Sequence, residues 1–297
     1  MIAKSQVLRA AVSETFPYPT RWGGGPSPLA YFDVGAGPAV VMLHGLGANF
    51  THWEHVAPAI ARHHRVIGID LLGCGDSAKP PGRYTIDLLV DGILRLLDEL
   101  GVTSATWVGH SLGGMVATRA ALRFPRRVER LVLISSAGFM RMPRAVRMAA
   151  RTIVAPVLAK TLEHVANRLL QQVLFERNFY TRKFFAQIED RDPHPCVDDI
   201  ARFMCAVGPD AARVNFLGEL ERIVQPTLVL WGDRDRLLPI QPIFSTVRRM
   251  PAARLVVLHE VGHMPIIERP AAVVSEMLAF LHGATRRTDR SAIARAG

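Results

Sequence analysis

Seven short apolar runs, set apart by segments of helical period, limit what this chain can fold into. They read "LAYFDVG", "AVVMLHG", "HRVIGID", "SATWVGH", "RLVLISS", "PTLVLWG" and "ARLVVLH". The first alternates like a half-exposed strand, and the others are rich in Val, Ile and Leu, the pattern of strands covered on both faces. Between them, "TIDLLVDGILRLLDELG" sets Leu89, Ile93, Leu96, Leu97 and Leu100 on one helical face and stops at Gly101, a good helix end. "LGGMVATRAALRFP" follows Ser111 as a second helix and ends before Pro125. Alternating strands and helices predict an α/β fold: a mostly parallel sheet with helices on both faces. Catalytic groups in such sheets gather beyond the strands' carboxyl ends.

The alternation stops between "LVLISSAG" and "PTLVLWG", where roughly ninety residues hold no convincing strand and read as an inserted helical cap. Within it Leu158, Leu162, Val165, Leu169 and Val173 recur at helical spacing and need something to pack against. Phe139, Phe175, Phe179, Phe184 and Phe185 are the candidates for an apolar substrate pocket. The expected division is a loosely ordered lead-in at 1–28, core at 29–138, cap at 139–222, core again at 223–283 and a basic tail at 284–297. There is no internal repeat and no low-complexity tract.

Composition removes several classes. With 49% hydrophobic and 21% charged residues the chain is not a disordered one. The formal charge of +10 is concentrated: Phe139 to Lys183 carries seven Arg and two Lys against two Glu, and the tail "RRTDRSAIARAG" adds four Arg against one Asp. No nucleic-acid-binding motif accompanies this charge, so it reads as a solvated basic face, with peripheral contact to anionic lipid as the weaker alternative. No apolar run approaches the roughly 18 residues of a membrane-spanning helix. The first twenty residues lack the apolar centre of a secretory signal, and the expected location is cytoplasmic. Cys74, Cys196 and Cys205 show neither a redox nor a zinc spacing, and no metal site is expected.

The chemistry starts at "WVGHSLGGMVATRA". A serine on a sharp strand-to-helix turn needs neighbours without side chains two positions before and two after, and Gly109 and Gly113 stand there around Ser111. A serine hydroxyl is a poor nucleophile until a histidine takes its proton and a carboxylate orients that histidine. Late strands end in "WGDRDRLLP", offering Asp233 and Asp235, and in "HEVGHMPIIERP", offering His259 and His263. The order Ser, Asp, His is the one that accompanies a nucleophile elbow in a hydrolase sheet.

"GHSLGG", "HGLG", "WGDRD" and "GHMPIIERP" together resemble the α/β-hydrolase superfamily, in particular its capped serine hydrolases, over about Leu29 to His282. The resemblance implies Ser111 as nucleophile, His263 as base and Asp235 as acid, three residues after the glycine of "WG"; Asp233 is the runner-up, better suited to capping the turn. It implies backbone N–H donors at Leu46 and Leu112 for an oxyanion hole, a bracing role for His44, and no metal or organic cofactor. Serine rather than aspartate on the elbow argues against dehalogenase and epoxide hydrolase chemistry. The expected activity is hydrolysis of a carboxylic ester of a small hydrophobic molecule. Carbon–carbon bond hydrolysis of ring-cleavage products is an alternative, weakened because such relatives usually carry asparagine where His110 stands. Thioester and lactone hydrolysis use the same parts, and a non-enzymatic small-molecule receptor of this fold is the reading from a different class.

Overall fold

The structure is a computed structural model describing residues 16–142, 144, 174–175, 178–182 and 193–283. All seven apolar runs are strands, and a short eighth precedes them: β1 (Arg21–Gly23), β2 (Leu29–Val34), β3 (Ala39–Leu43), β4 (Arg65–Ile69), β5 (Ala105–His110), β6 (Val128–Ile134), β7 (Thr227–Gly232) and β8 (Ala253–Leu258). They form one sheet in the order β1-β2-β4-β3-β5-β6-β7-β8. β1 and β2 pair antiparallel with their neighbours, and every pairing from β4 to β8 is parallel.

Helices cover both faces, as doubly buried strands require. The described helices are α1 (Ala57–Ile60), α2 (Ile86–Glu99), α3 (Leu112–Arg123), α4 (Pro193–Ala211), α5 (Gln241–Arg248), α6 (Pro265–Glu268) and α7 (Pro270–Leu281). The alternation of side chains along β3 divides the core: Val41 and Leu43 join α2, α3 and α5 on one face, while Val40 and Met42 join α1, α6 and α7 on the other. Helix α2 follows its sequence closely. The Thr85 hydroxyl accepts from Leu88 N–H at 3.0 Å at its start. Its end closes as a Schellman turn, with Gly101 at φ +68, Gly101 N–H donating to Asp98 and Val102 N–H to Leu97.

Two features depart from the sequence expectation or extend it. Part of the lead-in packs on the core: the Phe16 ring is buried against Phe32 and Phe50, centroids 5.0 and 5.4 Å apart, and β1 extends the sheet edge. A single Phe between turn residues has no periodicity to reveal it; its partners lie far along the chain. Between β6 and β7 the described residues supply helix α4 and no strand. This helix is tied to the core where the Asp210 carboxylate accepts from Ile86 N–H at 2.8 Å and Tyr84 N–H donates to the Ala206 carbonyl at 3.0 Å. Leu158, Leu162, Val165, Leu169 and Val173 lie outside the described residues. Among the described residues no helix is long and apolar enough to cross a membrane.

Leu96 is fully buried where α2 meets the sheet. Leu96→Ala is expected to lower unfolding free energy by about 2–5 kcal/mol, read as a fall in the urea midpoint at unchanged slope.

Candidate active site

Because β3, β5, β6, β7 and β8 run parallel, their carboxyl ends share one edge of the sheet, and the predicted site residues leave from it. β5 ends at His110 and α3 begins at Leu112, which leaves Ser111 to make the whole turn at φ +52, ψ −113. A side chain in that region costs about 1–3 kcal/mol and persists only where its surroundings enforce it. Here the backbone enforces it: Ser111 N–H donates to Ile134 at 3.0 Å, and the Ser111 carbonyl accepts from Gly114, Met115 and Ala137 at 3.1, 3.2 and 3.0 Å. A β-carbon at Gly109 would stand 2.3 Å from the Gly113 carbonyl, and one at Gly113 would stand 2.3 Å from the Leu43 carbonyl. Strand and helix backbones therefore touch where any other residue would part them.

The turn aims Ser111 Oγ at His263, whose Nε2 lies 3.1 Å away. His263 Nδ1 stands 2.8 Å from Asp235 Oδ2. The carboxylate accepts the Nδ1 proton, which leaves Nε2 as the acceptor facing the hydroxyl. The His263 side chain is 5% exposed and that of Asp235 is 0% exposed, so the pair is shielded from competing water. Asp235 Oδ1 accepts from the N–H groups of Leu237 and Leu238 at 3.0 and 2.8 Å, supplying the hydrogen bonds a buried carboxylate requires. The loop is pinned again by the Trp231 indole, which donates to the Leu238 carbonyl at 2.9 Å. Asp233 points elsewhere, accepting from Glu260 N–H at 2.8 Å and meeting His259 at 3.3 Å, so this pair braces the turn after β8.

Beyond β3, Ala48 N–H closes onto the Gly45 carbonyl at 3.3 Å, a tight turn with Leu46 and Gly47 at its corner. His44 braces it: Leu71 N–H donates to Nε2 at 3.0 Å, so Nδ1 carries the proton and donates to the Gly45 carbonyl at 2.8 Å. Burial lowers the His44 pKa to about 4, which keeps the ring neutral in that role. A β-carbon at Gly45 would lie 3.2 Å from Ser111 Cβ, so this turn faces the serine closely. Leu112 begins α3, where main-chain N–H groups have no intrahelical acceptor and the helix dipole is positive.

The apolar candidates scatter. Phe139 is buried in the core, its ring 5.9 Å from that of Phe216. Phe175 and Phe179 are 40% and 66% exposed, and Phe184 and Phe185 lie outside the described residues. Three buried polar residues near the site have structural roles that the sequence did not show. Asp70, at the end of β4, accepts from Phe50 and Asp76 N–H at 2.6 and 2.8 Å and so folds the "GCGDS" stretch; burial raises its pKa to about 7 against those two bonds. His110 Nε2 donates to the His263 carbonyl at 2.8 Å, and Glu268 is buried beside the same segment. The signal available for Glu268 was a carboxylate directly after two apolar residues in "MPIIERP", a place where an unpartnered charge is costly.

A serine on a strained strand-to-helix turn, at the carboxyl edge of a mostly parallel sheet, is the architecture of the α/β hydrolases. The sequence matches the alpha/beta hydrolase fold family over residues 38–270, and the chain belongs to that family. It is 32% identical over 278 residues to the dihydrolipoyllysine-residue acetyltransferase component of the acetoin cleaving system of Pseudomonas putida, covering 89% of this chain and 70% of that protein. It is also 32% identical over 257 residues to the 2-hydroxymuconate semialdehyde hydrolase of Pseudomonas sp. strain CF600, covering 84% and 88%. Among solved structures, the enol-lactonase from Burkholderia xenovorans LB400 superposes with a TM-score of 0.76 at 25% identity, covering 88% of this chain and 100% of the other.

The contact at the elbow can be separated from simple backbone strain. Gly101→Ala meets open space at φ +68 and is expected to cost about 1–2 kcal/mol, whereas Gly113→Ala meets main chain and is expected to cost more than twice that, or to leave little soluble protein. Paired urea titrations measure the difference.

Proposed function

We propose that this chain is a serine hydrolase that cleaves a carboxylic ester of a hydrophobic small molecule through an acyl-enzyme. The observation that carries the reading is the unbroken line of hydrogen bonds from Ser111 Oγ through His263 to Asp235. As Ser111 Oγ attacks the ester carbonyl, its proton passes to His263 Nε2, and the buried Asp235 carboxylate stabilises the imidazolium. The carbonyl oxygen, now negative, takes hydrogen bonds from the main-chain N–H groups of Leu46 and Leu112; one such donor is worth about 3 kcal/mol of barrier. His263 returns the proton to the departing alkoxide, and the alcohol leaves. Water then gives a proton to His263, attacks the acyl carbon and releases the acid, after which Ser111 recovers its proton.

The similarity to an enol-lactonase supports cleavage of an acyl–oxygen bond, since a lactone is a cyclic ester. A second reading, hydrolysis of a carbon–carbon bond beside a vinylogous ketone, is favoured by the 32% identity to a 2-hydroxymuconate semialdehyde hydrolase. It requires the same serine and histidine but a leaving carbanion that must be protonated at carbon, so the two readings part on substrate. A panel of p-nitrophenyl esters of increasing chain length, run beside vinylogous diketones, assigns the class by the larger kcat/KM. A single binding event without turnover on either set would indicate a receptor instead.

On the preferred substrate, Ser111→Ala is expected to remove turnover, and Asp235→Asn to lower kcat by about three to four orders of magnitude because the imidazole loses its orienting acceptor. Asp233→Asn, which faces Glu260 and His259, is expected to stay within about threefold of the parent, as a change away from the reacting groups. Steady-state kinetics on the three variants would reassign the acid if the two aspartates behaved the other way round.

A further inference from the structure

The carboxylate of Glu268 lies where two parts of the molecule meet, and it is fully buried. It closes the one-turn helix α6 (Pro265–Glu268), and helical side chains lean toward the amino end, so it reaches back over the segment that carries His263. There it accepts from the main chain on both sides of that residue: Gly262 N–H donates to Oε2 at 2.9 Å and Met264 N–H to Oε1 at 3.1 Å. Met264 is the residue before the helix, and a carboxylate folding back onto that N–H resembles a capping box. The carbonyl of His263 itself is held by His110 Nε2–H at 2.8 Å. Three successive main-chain positions around the imidazole are therefore fixed by two buried side chains.

The same carboxylate takes a third donor from the inserted segment. Phe175 N–H reaches Oε2 at 2.9 Å, and the side-chain amide of Asn178 donates to the main-chain carbonyl of Glu268 at 2.7 Å. Leu174, one residue earlier, is buried in the core cluster shared with Val261 and Met264, and the Phe175 ring lies 5.5 Å from the guanidinium of Arg234 on the acid loop. Leu174, Phe175 and Asn178 thus rest on the loops carrying both Asp235 and His263. A carboxylate suits this point because its two oxygens accept several N–H groups; an amide of the same size has one acceptor oxygen and would turn an NH2 toward a donor.

We infer that Glu268 is a positioning residue that couples the seating of Leu174, Phe175 and Asn178 to the orientation of His263, so that the base is aligned with Ser111 only while those residues are docked. The inference rests on the serine hydrolase reading above. A misplacement of the base by a fraction of an ångström weakens proton transfer without touching the surfaces that bind substrate, so the effect falls on kcat and not on KM.

Two variants test it from opposite ends. Glu268→Gln keeps the shape and removes one acceptor. Asn178→Asp keeps the oxygen that accepts from Thr181 N–H at 3.1 Å but replaces the amide donor that holds the Glu268 carbonyl. Each is measured as the full chain, with its folded fraction fixed by circular dichroism, for kcat and KM on p-nitrophenyl butyrate and for the rate at which a small alkyl fluorophosphonate labels Ser111. The expected result is a fall in kcat and in labelling rate of about ten- to a hundredfold for Glu268→Gln and roughly three- to tenfold for Asn178→Asp, with KM within about twofold for both. Parent-like kcat and labelling in the folded fraction of both variants, even with a lowered melting temperature, would overturn the coupling and leave Glu268 a purely structural residue. If Glu268→Gln does not fold, Asn178→Asp decides alone. Loss of the serine hydrolase reading looks different: the parent would then label no faster than Ser111→Ala.

Discussion

Everything at this site follows from the approach of one helix to two strands with no β-carbon between them. Because Gly109 and Gly113 let the start of α3 touch the ends of β3 and β5, the chain must turn from strand to helix within Ser111 alone. That single requirement sets the left-handed φ, thrusts the hydroxyl clear of the sheet, and brings the amino end of α3 directly behind it. The strain is tolerable because it is not compounded: the N–H and C=O of Ser111 both have partners, so the turn stores conformational energy without also leaving buried main-chain groups unmet.

The parallel ladder then carries that position outward. Leu43, Gly109, Leu133, Val229 and Leu255 stand in one row across five strands, and the loops after β3, β5, β7 and β8 all leave the sheet at or beyond this row, on the same edge, with β7 and β8 running on to Gly232 and Leu258. Groups more than a hundred residues apart in sequence thereby start from neighbouring points, and only the conformations of short loops remain to be fixed. Each of these is fixed by a buried polar contact: His44 for the turn facing Ser111, Trp231 for the loop of Asp235, Glu268 and His110 for the segment of His263. The sheet supplies proximity, and these contacts supply aim.

What the sequence revealed divides along the same line. Strands covered on both faces advertise themselves as apolar runs, and α2 advertises itself by period and by its closing glycine; these are local signals, and all seven runs and that helix are found within two residues of where the sequence puts them. The elbow was legible because its packing demands glycine at two fixed offsets from a serine. The packing of Phe16 and the short β1 were not, since their stabilisation comes from Phe32, Phe50 and the edge of β2, contacts with no sequence period. Helix α7 went unread although Pro270 at its start and the buried pair Val273 and Met277, four apart, were available as signals. Choosing between Asp233 and Asp235 from residues alone depended on family resemblance, because both carboxylates follow the same strand; only the loop's path, set by the bonds to Leu237 and Leu238, turns Asp235 toward His263.

The four carboxylates around the site show why burial and function are separable. Asp70, Asp233 and Glu268 accept from main-chain N–H groups, Asp233 adding the weaker contact to His259, and each ties together segments distant in sequence. Asp235 does the same with one oxygen and turns the other to an imidazole. A carboxylate whose oxygens are taken by rigid main chain is a brace, and loss of the group releases the loops it joins. One that keeps an oxygen for a side chain able to gain a proton is placed to act in the reaction, because its charge is stabilised in the resting state and stabilises a cation during turnover. By this criterion Asp235, whose Oδ2 faces the imidazole at 2.8 Å, is placed to act on it directly, whereas Glu268, which accepts from the backbone around His263 and from Phe175 N–H, bears on where that backbone is held.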